Sequence, residues 1–419
     1  MTSLQRVYAL FLASSGLETD SRKPISNKLF FALRGEHFDG NAYAQISLEK
    51  GASAAIVDNP EIANAHPKCF LVDDVLQTLQ ALANHHRKQF DLPLIALTGS
   101  NGKTTTKELI AAVLGTTHNV LFTEGNLNNH IGVPLTLLRL TPKHTHALIE
   151  MGANHIGEID FLCTIAEPTH GLITNVGKAH LEGFGSEEGV LKGKTELYRF
   201  LEKNGGTVFL NQEDLKLIGA LGKNHNITYS PSEYDVLDDQ PTLRLRFDGV
   251  EIHTELAGNY NKTNIATAIC VGDAFGVTLE NSVAAIAAYV PDNHRSQLML
   301  KNNKAIVLDA YNANPTSMHA AVHAFSLRKG TKAVILGYMA ELGSHEADEH
   351  KALVRLVKTM DIEACYWIGA AYKSHVDSNW FETTEAFAAH LKRNPIKANQ
   401  ILVKGSRSAG LEILTDLLD

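Results

Sequence analysis

Residues 94–107 run from an apolar stretch, Leu94-Ile-Ala-Leu97, through Thr98-Gly99-Ser100-Asn101-Gly102-Lys103-Thr104-Thr105 into a helix-forming segment. Such a turn suits an anion. Gly99 and Gly102 let the backbone bend until its N–H groups and the next helix N-terminus converge. Lys103 adds a positive charge, and the Thr104 hydroxyl can reach Mg2+. The longer phosphate-loop pattern would require glycine at 97, where the chain has Leu97, so the spacing here is the shorter Gly-x-x-Gly-Lys-Thr-Thr. Strand, turn and helix stand in the order phosphate binding needs, and the implied nucleotide is ATP. Thr98, Gly99, Ser100, Asn101, Gly102, Lys103, Thr104 and Thr105 are its candidate contacts.

Other polar residues fall where strands should end, which is where a doubly wound sheet opens its ligand crevice. Glu150 closes Ala147-Leu-Ile-Glu150, and His180 follows Leu172-Ile-Thr-Asn-Val176. Alone, each reads as a solvated charge or a structural histidine; on successive strands beside a phosphate loop, both become candidate metal ligands. Asn126, Asn128 and Asn129 offer neutral donors and acceptors suited to a sugar-peptide, and the same residues are also ordinary turn chemistry.

The elements that position these residues alternate. Strands at 92–98, 145–151, 171–176 and 207–210 interleave with helices starting at 103, 155 and about 187, which predicts right-handed βαβ units and a parallel sheet. Residues 1–85 read as a small mixed region with strands at 29–33 and 54–57, followed by a polar, basic stretch, His85 to Lys88. Leu4, Val7, Leu10 and Phe11 recur at helical spacing, so the N-terminal apolar stretch reads as a buried helix face rather than a signal peptide. From 292 onward, apolar runs at 305–309, 332–337 and 400–404 repeat the strand scheme in a smaller α/β domain. The expected division is therefore 1–85, 86–291 and 292–419.

A chain of 419 residues exceeds what one core usually supports. Its net charge of −8 supplies no general attraction to nucleic acid or anionic lipid, and no apolar run approaches the roughly 20 residues that span a bilayer. Cys69, Cys163, Cys270 and Cys365 lie far apart, with neither zinc spacing nor a dense disulfide pattern, which fits a reducing cytoplasm.

The chain resembles the Mur ligases, and the motifs that carry the resemblance run through all three regions. They are Asp20-Ser21-Arg22, Thr98–Thr105, Gly125-Asn126-Leu-Asn128-Asn129, Glu150-Met-Gly-Ala-Asn154, His180-Leu-Glu-Gly-Phe-Gly185, Gly258-Asn-Tyr-Asn261, Asp309-Ala-Tyr311-Asn312-Ala-Asn314-Pro, Glu341-Leu-Gly343 and Lys404-Gly-Ser-Arg407. Tyr311-Asn-Ala-Asn314-Pro with Asn126-Leu-Asn128-Asn129 favours the branch that uses a D-alanyl dipeptide. The resemblance implies a three-domain α/β architecture: a small N-terminal mixed α/β domain for a UDP-linked substrate, a central P-loop parallel-sheet ATPase domain, and a C-terminal Rossmann-like domain. It implies an ATP-dependent amide ligase that adds D-alanyl-D-alanine to UDP-N-acetylmuramoyl-tripeptide through an acyl phosphate, in peptidoglycan precursor synthesis. The alternatives are a related ligase adding a single amino acid, of the MurE or folylpolyglutamate type, and a P-loop ATPase switch that ligates nothing.

By the same resemblance Thr104 would hold one Mg2+, and Glu150, His180 and a carbamylated lysine a second. Lys194 occupies the matching position, with Lys192 as its neighbouring competitor. Lys103 and Arg295 would stabilise charge on the transferring phosphoryl group. Asn261 would contact adenine, and Asp309, Tyr311 and Asn312 would close over the nucleotide. Ser21 and Arg22 would hold the uridine diphosphate, and Asn126, Asn128 and Asn129 the sugar-peptide. Thr195, Tyr260 and Tyr338 stand where the family usually has other residues. The implied partners are the two small-molecule substrates, with no nucleic acid and no membrane insertion, for a cytoplasmic monomer.

Overall fold

The computed structural model describes residues 2–291 and 295–418, so the expected domain start at Asp292 lies outside the described residues. The chain divides into two compact units. One comprises the chain up to Ala96, Asn119–Gly152 and Ile159–His170; the other comprises Leu97–His118, Ala153–Glu158 and the chain from Gly171 onward.

Near the N-terminus a four-stranded parallel sheet has the order Leu17–Glu18, Leu29–Phe31, Ala54–Val57, Cys69–Leu71. Leu29–Phe31 and Ala54–Val57 are buried at every position, which explains why they read as unbroken apolar runs rather than alternating ones. The helix Ser3–Leu12 starts in a capping box between Thr2 and Gln5 and buries Val7 and Phe11, as the spacing predicts. The basic stretch at 85–88 ends the helix Val75–Arg87, which continues past the expected boundary at 85. His86 and Arg87 are buried there, with Arg87 donating to the carbonyls of Ala166, Phe90 and Leu92. Burial lowers the His86 pKa, so this ring stays neutral at pH 7.

The six-stranded sheet that carries the phosphate loop has the order His225–Tyr229, Thr207–Asn211, His170–Ile173, Leu94–Thr98, His146–Glu150, Val120–Phe122. Leu94–Thr98 is an interior strand and is wholly buried, as its composition requires. The last sheet has the order Gln297–Lys301, Lys304–Asp309, Gln400–Lys404, Lys332–Gly337, Ala364–Ile368, Trp380–Phe381 and is parallel except for its first strand. Its two faces follow the period of two: Val307, Val334, Leu336 and Leu402 enter one core, and Ile306, Leu308, Ile335, Ile401 and Val403 the other. A three-stranded antiparallel sheet, Asp235–Asp238, Arg244–Phe247 and Val250–His253, was not expected from the sequence. Among the described residues no helix is long and apolar enough to cross a membrane.

Candidate active site

The phosphate loop forms as its glycines require. Gly99 has φ +144° and Gly102 φ +78°, and a Cβ on Gly99 would collide with the Thr174 hydroxyl. Gly102 precedes the helix Lys103–Leu114, and a helix N-terminus is where backbone N–H groups and the helix dipole favour an anion. Neighbouring segments brace the turn. Asn101 N donates to Asn175 Oδ1 at 3.0 Å, its carbonyl accepts from Thr174 Oγ1 at 2.6 Å, and Ser100 Oγ donates to the Gly177 carbonyl at 3.1 Å. Lys103 Nζ curls back over the loop to the Gly99 carbonyl at 2.6 Å. Thr98, Ser100, Thr104 and Thr105 are buried.

Behind the loop, Thr106 Oγ1 donates to Asn264 Oδ1 at 3.1 Å, Asn264 Nδ2 to Asn261 Oδ1 at 2.9 Å, and Asn261 Nδ2 to the Ala257 carbonyl at 2.9 Å. The Asn261 amide is thus engaged within the protein, tying the N-terminus of helix Asn261–Ala274 to the loop. Tyr260 is a packed residue whose hydroxyl lies 2.8 Å from Ser296 Oγ.

Lys194 ends the helix Glu187–Lys194 and is fully buried, while Lys192 is exposed. Nζ of Lys194 donates to the Ala153 carbonyl at 3.0 Å and sits 5.2 Å from the centre of the Phe184 ring. Burial, and then the nearby Lys103 cation, push its ammonium well below the usual lysine range, against the pull of Glu158 and Glu196. Those acids have their own donors. Glu158 accepts from Asn154 N at 2.7 Å, and Glu196 from Gly157 N at 2.6 Å.

His180 sits in the left-handed region at φ 51°, as does Glu341 at φ 61°. His180 Nδ1 lies 2.6 Å from Glu341 Oε2. The histidine beside it holds the Glu341 carboxyl below the ordinary carboxylate range, outweighing the upward push of burial. Glu341 carried no role in the sequence reading, although it stood in a recognised motif. Glu150 is buried and accepts from Asn128 Nδ2 at 2.8 Å. Asn129 spends its oxygen on Ile131 N and Gly132 N, which is turn chemistry, and Asn126 is exposed. Among the described residues no three His, Cys, Asp or Glu side chains are grouped to hold a metal.

In the C-terminal sheet, Asp309 pairs with buried Lys404 at 2.6 Å, and Lys404 also reaches the Asn312 carbonyl at 3.3 Å. Two cations approach the Tyr311 ring, with Arg295 Cζ at 3.8 Å and Arg407 Cζ at 5.5 Å from its centre. Arg295 Nε is buried and has no hydrogen-bond partner among the described residues. Arg22 is 87% exposed and forms a two-pronged pair with Asp20, which holds that carboxyl below its normal range; Ser21 lends its carbonyl to Lys50.

The sequence matches the Mur ligase family catalytic domain over residues 14–87, the Mur ligase middle domain over 97–272 and the Mur ligase glutamate ligase domain over 294–411. The chain belongs to the Mur ligase family. It is 34% identical to the UDP-N-acetylmuramoyl-tripeptide--D-alanyl-D-alanine ligase of Bacillus subtilis, over 96% of this chain and 93% of that one. A crystal structure of MurF from Acinetobacter baumannii superposes with a TM-score of 0.87 at 30% identity, covering 99% of this chain and 98% of the other. MurF from Thermotoga maritima, solved in complex with ADP, gives 0.84 at 25% identity over 97% of both chains. The architecture is thus the three-domain α/β Mur ligase fold with a central parallel-sheet domain.

Proposed function

We propose that this Mur ligase joins D-alanyl-D-alanine to UDP-N-acetylmuramoyl-tripeptide with ATP as the energy source, in peptidoglycan precursor synthesis. The observation that carries this reading is the match to UDP-N-acetylmuramoyl-tripeptide--D-alanyl-D-alanine ligases along nearly the whole chain, with a formed phosphate loop inside it. The expected division into N-terminal, central and C-terminal parts is kept, with the first joint moved from 85/86 to follow the end of helix Val75–Arg87.

The loop N–H groups and Lys103 hold the triphosphate and withdraw charge from the phosphoryl group that moves to the substrate carboxylate. Arg295, backed by Tyr311, adds a second cation. Asp309, Tyr311 and Asn312 face the nucleotide from the C-terminal part, so the site is complete when that part closes. Ser21 and Arg22 hold the UDP end, which requires Arg22 to exchange Asp20 for a phosphate.

The residues present fit Mg2+. Buried Glu150 supplies carboxyl oxygens held in place by Asn128, and burial pushes Lys194 toward the neutral amine, the form of lysine that adds CO2. Carbamylation (R–NH2 + CO2 → R–NH–COO− + H+) would turn a cation that repels metal into an oxygen ligand. Thr104, Glu150, His180 and carbamylated Lys194 would hold the ions, which neutralise the crowded phosphate and carboxylate charges when bound. We read the protein as a cytoplasmic monomer.

Phosphate release from Mg-ATP tests the ligation. Release that requires both the UDP-linked tripeptide and the dipeptide supports it, whereas release indifferent to both would make the chain an ATPase switch.

A further inference from the structure

Asn314 caps the helix Pro315–Ser326. Its Oδ1 accepts from Ser317 N at 2.9 Å, and Ser317 Oγ accepts from Asn314 N at 3.1 Å. A backbone N–H only donates, so the oxygen of the Asn314 amide must face Ser317, and its NH2 must face the other way. There it meets Asn101 Oδ1 at 2.7 Å. The Asn101 oxygen is thereby committed. Its own NH2 is turned away from Asn314, buried, and without a hydrogen-bond partner among the described residues. The Asn101 backbone has little room to adjust, because Asn175 and Thr174 hold both its N–H and its carbonyl.

We propose that Asn314 is a positioning residue for the nucleotide: by fixing which end of the Asn101 amide it receives, it aims the Asn101 NH2 at a phosphate oxygen. This rests on the ATP reading of the loop and extends it to a residue more than two hundred positions away. A buried unpaired donor is costly, and a phosphate oxygen removes that cost as a charge-assisted hydrogen bond. Were the amide reversed, Asn101 would present oxygen to oxygen. Because binding couplings are reciprocal, phosphate in the loop also strengthens the Asn101–Asn314 bond and so favours the docked position of helix Pro315–Ser326.

Asn314→Asp separates the two jobs of this side chain. Aspartate caps a helix as well as asparagine and keeps its bond to Ser317 N, but it has no NH2 to give. Asn101 must then turn its NH2 toward the new carboxylate and its oxygen toward the phosphate. The full-length variant should bind ADP about tenfold or more weakly by calorimetry. KM for ATP should rise alike, with little change in melting temperature or in KM for the other two substrates. Asn314→Ser keeps the cap without adding a charge and should show a smaller loss of the same kind. ADP binding equal to wild type in both variants overturns the proposal, as does an equal rise in all three KM values, which would mark a structural role. ADP binding needs no turnover, so failure of the ligase reading would show separately, as wild-type phosphate release that ignores the dipeptide.

Discussion

Lys194→Ala removes the buried amine on which the proposed metal site depends. An exposed lysine, with a pKa of about 10.4, is neutral roughly once in a thousand molecules near pH 7.4, and each unit by which the pKa falls multiplies that fraction about tenfold. Burial and Lys103 push Lys194 in that direction, whereas Lys192 is solvated, so CO2 should select Lys194. Losing an anionic metal ligand should remove several kcal/mol of transition-state stabilisation; at about 1.4 kcal/mol per factor of ten, about 3 kcal/mol is roughly a hundredfold in kcat. The fold should survive, because the void left by the side chain is offset by removing an amine that is costly to charge. The assay pairs kcat with a 13C carbamate signal after incubation in labelled bicarbonate. Wild type should show the signal and Lys194→Ala should lose it, and small carboxylic acids that enter the void should restore part of the rate. Near-normal kcat in the variant, or a wild type that never takes up the label, would refute the reasoning.

Gly99→Ala should abolish ADP binding and lower the melting temperature, since its φ of +144° and the Thr174 hydroxyl leave no place for a methyl; unchanged binding would contradict the loop geometry. Lys404→Met leaves Asp309 partly buried without its cation and should cost about 3–5 kcal/mol by urea unfolding, the usual penalty for breaking a buried pair. The Glu341 carboxyl has a lowered pKa in the folded protein, so its contact with His180 stabilises fully above the unfolded value of about 4.3 and is lost as pH falls through the lower folded value. Glu341→Gln should therefore flatten the acid side of the stability curve, slightly, because the side chain is half exposed.

Wholly buried parallel strands were the most legible elements. Ala54–Val57 is apolar throughout, and Lys332–Gly337 and Gln400–Lys404 carry apolar interiors behind a polar first residue, because burial on both faces favours apolar side chains. The helix after the phosphate loop was equally plain, since Gly102 marks its start. The edge strand Gln297–Lys301 and the antiparallel sheet at 235–253 are half exposed, and a short polar strand carries little periodic signal. His85 to Lys88 closes a packed helix because long basic side chains can bury their stems while reaching distant carbonyls, as Arg87 does. Within the site, residue types disclosed the phosphate loop and the motif positions, but not what each side chain faces. Asn314 could have been recognised as a helix cap from Asn-Pro-x-Ser. Its second bond, to Asn101, joins residues far apart in sequence and is visible only in the fold.

The most direct test of the central claim is a competition experiment with Mg-ATP and the UDP-linked tripeptide, offering D-alanyl-D-alanine beside single amino acids and weighing the product. The account predicts one product, with the mass of tripeptide substrate plus dipeptide less water, and one phosphate released for each molecule formed. A product carrying a single amino acid would contradict the assignment while leaving the ligase chemistry standing.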